Sequence, residues 1–187
     1  MKIRLILELQ VVSRFDRIKL MENVFFELFN ESNLINKELI KGYSNDEIKK
    51  IERLYNIDIK DDFKYFMENM GRCDGGLLGD DPIILYRKAW SVRTHFLFQI
   101  DFFNDLQEIG AWDFLNKPFV FSLEEETYYY FLQTGSNSQE VYFYSENDKK
   151  VIPTGMKFFE YLIDLTKKNC FKLNKRQRVS QGELIIV

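Results

Sequence analysis

The chain has 187 residues with a formal net charge of −3, and 45% of its residues are hydrophobic and 29% charged. This composition excludes an intrinsically disordered chain, and the small negative charge gives no global attraction to nucleic acid or to anionic membranes. One histidine and two distant cysteines, Cys73 and Cys170, exclude a Cys/His zinc cluster. Because 9 glycines and 3 prolines leave no long flexible linker, one domain over residues 1–187 is predicted.

Residues 1–42 are predicted to form an N-terminal extension with one strand and one helix. Apolar residues alternate over residues 3–11, and this period of two favours a strand, with a helix as the alternative. A helical apolar spacing follows over residues 18–28. Arg4 and Glu8 interrupt the apolar start of the chain, which argues against a signal peptide. Since no stretch approaches the roughly 18 apolar residues of a membrane span, we expect a cytoplasmic protein.

The first well-defined element is a short amphipathic helix. Ser44 and Glu47 have the spacing of a capping box, in which each side chain accepts a hydrogen bond from the other residue's backbone N–H. The apolar residues over 48–55 then recur at helical spacing. A helix of about three turns is predicted here.

A second amphipathic helix is predicted after a short break at residues 57–59. Asp61 or Asp62 is expected to cap its start, and Gly71 is expected to end it in the left-handed conformation. Four apolar residues follow the i, i+3, i+4, i+7 pattern of one buried helix face, namely Phe63, Phe66, Met67 and Met70.

The next segment is predicted to be irregular before a longer helix begins. Residues 71–81 hold four of the nine glycines and are predicted to form a loop, and residues 82–86 a short strand. Apolar residues from Phe98 to Ile109 then have the spacing of a helix that ends near Gly110.

The last third of the chain is predicted to contain an antiparallel meander. Three β-branched or aromatic runs, at residues 118–121, 127–132 and 140–144, are separated by turn-forming residues. A final helix is predicted to open at Thr154-Gly155. Residues 167–187 form a C-terminal tail, whose last residues, Leu184–Val187, are either a terminal strand or a loose end.

The order of these elements resembles the pattern of the SUKH superfamily. This superfamily contains a yeast regulator of cell-wall assembly and many bacterial immunity proteins. The resemblance covers about residues 43–165 and depends on three motifs, which read SNDEIKKIE at residues 44–52, DDFKYFMENMG at residues 61–71 and FFEYL at residues 158–162. The chain departs from the family in lacking a proline before the second helix and in carrying tyrosines at residues 128–130. The resemblance implies an α+β fold, with an antiparallel or mixed twisted sheet and helices packed against it.

Neither a catalytic pair nor a phosphate-binding loop is predicted from the residues that suggest them. Cys73 and His95 would be the only thiol and imidazole of a catalytic pair, and a loop thiol with a partly buried ring is the simpler interpretation. The loop at residues 71–79 lacks the Lys-Ser/Thr of a P-loop and follows a helix instead of a strand.

Two acidic clusters and a basic tail leave alternatives open. The acidic residues Asp80, Asp81, Glu124, Glu125 and Glu126 fit a solvated turn, an acidic rim that faces a partner, or a metal site. The basic residues fit a charged C-terminus or a contact with nucleic acid, and they are Lys167, Lys168, Lys172, Lys175, Arg176 and Arg178.

The resemblance implies a non-catalytic immunity protein, which binds and neutralises a cognate protein toxin delivered by another cell. A regulatory scaffold or ligand-sensing domain is the alternative, and an enzyme with an unrecognised site is a third. We predict no catalytic residue, metal or cofactor, and no direct contact with nucleic acid or membrane. Because a toxin nuclease has a basic substrate groove, the partner-binding residues are predicted to be Asp80, Asp81, Glu124, Glu125, Glu126, Tyr128 and Tyr130.

Overall fold

The structure, a computed structural model, describes residues 36–78, 82–170 and 179–186. The chain divides into two units, Met1–Ile35 and Asn36–Val187, and the described residues all belong to the second. The strand and helix predicted for the N-terminal extension lie outside the described residues. So do Asp80 and Asp81, the basic residues over 171–178 and the side chain of Cys170.

The described residues form four α-helices and one four-stranded antiparallel sheet, which confirms the α+β fold class. The helices are α1 (Asn45–Tyr55), α2 (Asp61–Met70), α3 (Val92–Glu108) and α4 (Phe158–Cys170). The strands are β1 (Pro118–Glu124), β2 (Tyr128–Gln133), β3 (Glu140–Ser145) and β4 (Lys150–Lys157), and they lie side by side in chain order. Short 3-10 turns occur at Lys37–Leu39, Ile84–Tyr86 and Trp112–Phe114.

Helix α1 has the predicted capping box. The Ser44 backbone N–H donates to Glu47 Oε2 at 2.8 Å, and the Glu47 backbone N–H donates to Ser44 Oγ at 3.4 Å. The apolar face of the helix is buried through Ile48, Ile51 and Tyr55. The prediction of this helix is confirmed.

Helix α2 confirms the predicted apolar stripe but not its predicted cap. Lys60 occupies the N-cap position, so neither Asp61 nor Asp62 is the capping residue, and both lie in the first helical turn. Negative charge in that turn is favourable because it faces the positive end of the helix dipole. The four predicted apolar side chains are all buried, from Phe63 to Met70.

Gly71 follows α2 in a right-handed conformation with φ −61°, so the predicted left-handed cap is wrong. The need for glycine arises from close packing instead. A Cβ at this position would lie 2.7 Å from the Met67 carbonyl oxygen and 2.9 Å from the Tyr43 ring. A side chain here would collide with atoms of the backbone.

The short strand predicted at residues 82–86 is wrong, because Ile84–Tyr86 form a 3-10 turn. Only Ile83 makes a β-bridge, and its partner is Ser122 of β1. All three residues of the turn are buried, whereas a strand would point alternate side chains to opposite faces. The Tyr86 hydroxyl donates to the Met70 carbonyl oxygen at 2.7 Å, which ties the turn to the end of α2.

The predicted meander is confirmed and has a fourth strand that was not predicted. Residues Lys150–Lys157 pair with β3 as strand β4, so the final helix begins at Phe158 and not at Thr154-Gly155. The Thr154 hydroxyl donates to the Val141 carbonyl oxygen at 2.7 Å, and this bond holds the residue in the sheet. Strand β4 is one of the two edge strands of the sheet and contains Pro153 and Gly155.

Helices α3 and α4 cover opposite faces of the sheet. On one face, the Phe102 ring of α3 lies 5.0 Å from Phe131 and 5.9 Å from Tyr144. On the other face, the Tyr161 ring of α4 lies 4.9 Å from Tyr130, which neighbours Phe131 along β2. Successive strand residues point to opposite faces, so the aromatic sheet forms the centre of the core.

The last described residues, 179–186, return to the start of the described fold as an irregular segment. The Leu184 backbone N–H donates to the Tyr43 hydroxyl oxygen at 3.0 Å, and the Tyr55 hydroxyl donates to the Leu184 carbonyl oxygen at 3.0 Å. Leu184 and Ile185 are buried. Both alternatives predicted for this end, a strand and a loose tail, are therefore wrong for Leu184 and Ile185.

Candidate protein-interaction surface

The hairpin between β1 and β2 positions the predicted site residues that the structure describes. Glu124 is the last residue of β1, and Tyr128 is the first of β2 and its register partner. Glu125, Glu126 and Thr127 form the turn between them, and the two glutamates have positive φ, 53° and 55°. The turn is closed by a hydrogen bond from the Thr127 backbone N–H to the Glu124 carbonyl oxygen, at 3.2 Å.

Tyr128 and Tyr130 lie on the same face of the sheet, the one that α4 covers in part. Both rings contact Phe143 of β3, at centroid distances of 6.2 Å and 5.8 Å. The register partner of Phe143 is Ile152 of β4, whose side chain is 39% exposed. The two tyrosines and Phe143 are half-buried, so the rings are held by packing and keep one accessible side.

Carboxylates surround these rings. The Tyr161 hydroxyl donates to Glu124 Oε1 at 3.0 Å and shares a second hydrogen bond of 2.8 Å with the Ser122 hydroxyl. Burial, and after it the charges of neighbouring groups that include Glu124 and Asp164, raises the pKa of Tyr130 to about 12. The phenol therefore stays neutral at physiological pH, in a region of negative potential.

A lysine of α4 lies beside these carboxylates. Lys168 Nζ is 2.9 Å from Asp164 Oδ2, one turn earlier on α4, and both side chains are about half exposed. This hydrogen bond, and less strongly the charges of Asp164 and Glu124, raises the pKa of Lys168. We name the surface formed by Glu124, Glu125, Tyr128, Tyr130, Phe143, Ile152 and Asp164 the acidic aromatic face.

Glu126 is separated from this face although it is the neighbour of Glu125. Its carboxylate pairs with the Arg87 guanidinium at 2.8 Å and 3.3 Å, and Arg87 lies 5.1 Å from the centre of the Trp90 ring. The structure thus brings together Glu124, Tyr128 and Tyr130 of the predicted set, with Glu125 at their border. The charge of Glu126 is already compensated within the chain.

Sequence reasoning missed three members of the face, which are Phe143, Ile152 and Asp164. Phe143 and Ile152 belong to strands whose register places them beside Tyr130, and β4 was not predicted at all. Asp164 had a signal in the sequence, because it lies three residues after Tyr161 and residues at that spacing share a helix face.

The candidate catalytic pair of Cys73 and His95 does not form. His95 is fully buried against the Trp90 ring, and neither of its ring nitrogens has a hydrogen-bond partner. Cys73 is buried in the loop beside Lys41, and burial raises the pKa of its thiol. A thiol without a base and with a raised pKa is a poor nucleophile.

The glycine-rich loop binds a carboxylate of the chain itself. Asp74 accepts from the Gly76 backbone N–H at 2.8 Å and from the Leu78 backbone N–H at 2.5 Å. These amide groups are the donors that a phosphate would need. Among the described residues, no group of three or more His, Cys, Asp or Glu side chains has the arrangement of a metal site.

An antiparallel sheet with helices packed on both faces defines an α+β domain. The chain belongs to the SUKH superfamily, since a model of the SMI1-KNR4 cell-wall family matches residues 45–162, more than half of its length. SUKH domains are generally immunity or regulatory domains that act through protein–protein interaction. No curated protein and no solved structure matches the chain significantly. Within the described residues, no helix is long and apolar enough to cross a membrane.

Proposed function

We propose that the protein is a non-catalytic immunity protein, which binds and neutralises a cognate toxin domain in the cytoplasm. The observation that carries this proposal is the acidic aromatic face, with tyrosine rings fixed on a sheet and bordered by carboxylates. Rings of this kind supply large contact areas at low entropic cost, because packing already holds their rotamers.

The charges of the face indicate the chemistry of the partner. Glu124, Glu125 and Asp164 supply three carboxylates, and Lys168 is the one described cation whose pKa these carboxylates raise. A toxin with a basic active-site groove, of which a nuclease is an example, is electrostatically complementary to this arrangement. A stoichiometric inhibitor needs only to occlude such a groove, so it requires no reactive group of its own.

Co-expression with a candidate nuclease toxin domain tests the proposal. The wild-type chain is expected to abolish toxicity and to form a 1:1 complex with the toxin. Glu125→Lys is expected to weaken the complex about tenfold or more, because it places a cation opposite a basic groove. Glu38→Lys is the matched control, since Glu38 is an exposed glutamate outside the face.

Unchanged toxicity in the presence of the wild-type chain would overturn the proposal. If the two lysine variants weakened the complex equally, the contact surface would lie elsewhere on the molecule. The alternative function is a regulatory scaffold, which the cell-wall description of the matching family favours. A scaffold would bind a partner through the same face without altering any toxin's activity.

A further inference from the structure

We propose that two copies of this chain pair through the outer face of α3, with a two-fold axis that passes beside Leu97. The proposal goes beyond toxin binding, because it concerns the opposite side of the sheet. Its basis is a self-complementary row of three side chains, Arg93, Leu97 and Asp101.

The spacing of the row creates its symmetry. Arg93 precedes Leu97 by four residues and Asp101 follows it by four, so the three side chains form one i±4 ridge of the helix surface. In an antiparallel pair centred on Leu97, each Arg93 faces the second copy's Asp101, and the two Leu97 side chains meet. An isologous interface requires this reciprocity, in which each residue pair occurs twice.

The two charges have no partner within the described part of the chain. Neither Arg93 nor Asp101 forms an ion pair with another described residue, and both side chains are exposed. They cannot satisfy each other, because eight residues of α-helix separate them by about 12 Å. A second copy would supply both missing counter-charges at once.

Two large apolar side chains are exposed near the centre of the row. Leu97 is 44% exposed and Ile100 is 39% exposed. A groove of about 360 Å³ runs beside them, and its lining consists of Trp90, Arg93, Thr94, Leu97, Phe98 and Asp101. The two-fold axis would place Ile100 of each copy opposite Thr94 of the other, where the groove receives its side chain.

The expected dimer is weak and reversible. Helix α3 has 17 residues, so it extends about 25 Å. A contact centred on one helix of this length lies at the lower end of specific interface sizes. We therefore expect a micromolar dissociation constant. The acidic aromatic face stays accessible in such a dimer, since α3 and α4 lie on opposite faces of the sheet.

Sedimentation equilibrium of the full chain over a concentration series tests the dimer. The wild-type mass is expected to rise towards twice the monomer mass with increasing concentration. Arg93→Asp and Asp101→Arg are each expected to raise the dissociation constant about tenfold or more, because each single change puts like charges opposite one another twice. Lys150→Asp, an exposed charge reversal on β4, should leave the dissociation constant unchanged.

The double variant with Arg93→Asp and Asp101→Arg tests whether these two residues pair across the dimer. It exchanges the two charges, so every cross-copy pair is restored with opposite polarity, and dimerisation is expected to recover. A wild-type chain that remains monomeric at all concentrations would overturn the proposal, and so would a double variant no better than the single ones. Circular dichroism of each variant checks that the total helix content is unchanged. Neither outcome affects the toxin-binding test, because that test changes residues on the other face.

Discussion

His95 is a buried base without a hydrogen bond, and this makes it a source of acid sensitivity. Burial, with a smaller contribution from the charge of Arg87, lowers its pKa from 6.5 to about 4. Between these two pH values the unfolded chain binds a proton that the folded chain does not, so the free energy of unfolding decreases as the pH falls. The full contribution is present above pH 6.5 and is lost by about pH 4, a change of about 3 kcal/mol.

His95→Phe is expected to remove this part of the pH dependence while keeping an aromatic ring against Trp90. Urea unfolding at pH 7 and at pH 4.5 measures it, as the difference between wild type and variant at each pH. The wild-type chain should lose more stability than the variant on acidification. Parallel losses in the two proteins would show that carboxylates alone carry the acid response.

In the β1–β2 hairpin, the residues that supply charge to the surface are not the residues that would best stabilise the turn. Turn positions with positive φ favour asparagine and glycine, yet Glu125 and Glu126 occupy two of them in this three-residue turn. Side chains with a Cβ pay a steric cost in that conformation. The turn thus keeps a carboxylate at the border of the acidic aromatic face at the expense of its own stability.

Glu125→Asn is expected to raise the free energy of unfolding by about 1 kcal/mol, because asparagine adopts the left-handed conformation more readily. Glu125→Gln is the matched control, since it removes the same charge without the conformational preference. Both variants should bind the toxin more weakly than wild type, and only the asparagine variant should be more stable. A gain of equal size in both would assign the effect to charge repulsion within the turn.

Elements with a strong repeating pattern could be predicted from the sequence, and those set by tertiary contacts could not. The apolar stripes of α1 and α2 and the aromatic alternation of three strands are local signals. Strand β4 was not predicted because Pro153 and Gly155 are residues that usually interrupt strands. It is stabilised by pairing with β3. The 3-10 turn at Ile84–Tyr86 likewise depends on burial against α2 and β1.

The composition of the acidic aromatic face was only partly predictable for the same reason. Tyr128 and Tyr130 share a face by strand alternation, which the sequence shows directly. The face also depends on a bulge in β1 between Val120 and Ser122, since a bulge changes which later residues point towards α4. The pairing of Glu126 with Arg87 could not be predicted either, because the two residues are 39 positions apart and only the fold brings them together.

At the scale of the whole molecule, Arg72 joins segments that are distant in sequence. Its guanidinium contacts the carboxylates of Glu47 at 2.6 Å and Glu183 at 2.9 Å, and it lies 4.5 Å from the centre of the Tyr43 ring. Its carbonyl oxygen accepts from the Gly182 backbone N–H at 3.1 Å. The start of α1 and the C-terminal segment are thereby fixed to the same residue.

Arg72→Met is expected to lower the free energy of unfolding by about 2 kcal/mol, because it removes the charge-assisted hydrogen bonds to Glu47 and Glu183. The control is Lys64→Met, which removes an exposed helical pair with Glu68 and should cost less than about 0.5 kcal/mol. Urea denaturation of both variants at pH 7 gives the comparison. Similar small losses would mean that the C-terminal segment is held by Leu184 and Ile185 without the arginine.

Strand β4 has a bearing on solubility when many copies are crowded together. An unpaired strand at the margin of a sheet is a template on which further chains stack into fibrils. Here Pro153 offers no N–H for such pairing, Gly155 bends the strand with φ 71°, and Lys150 and Lys157 put like charges at both ends. These features oppose the pairing of β4 with a strand of another chain.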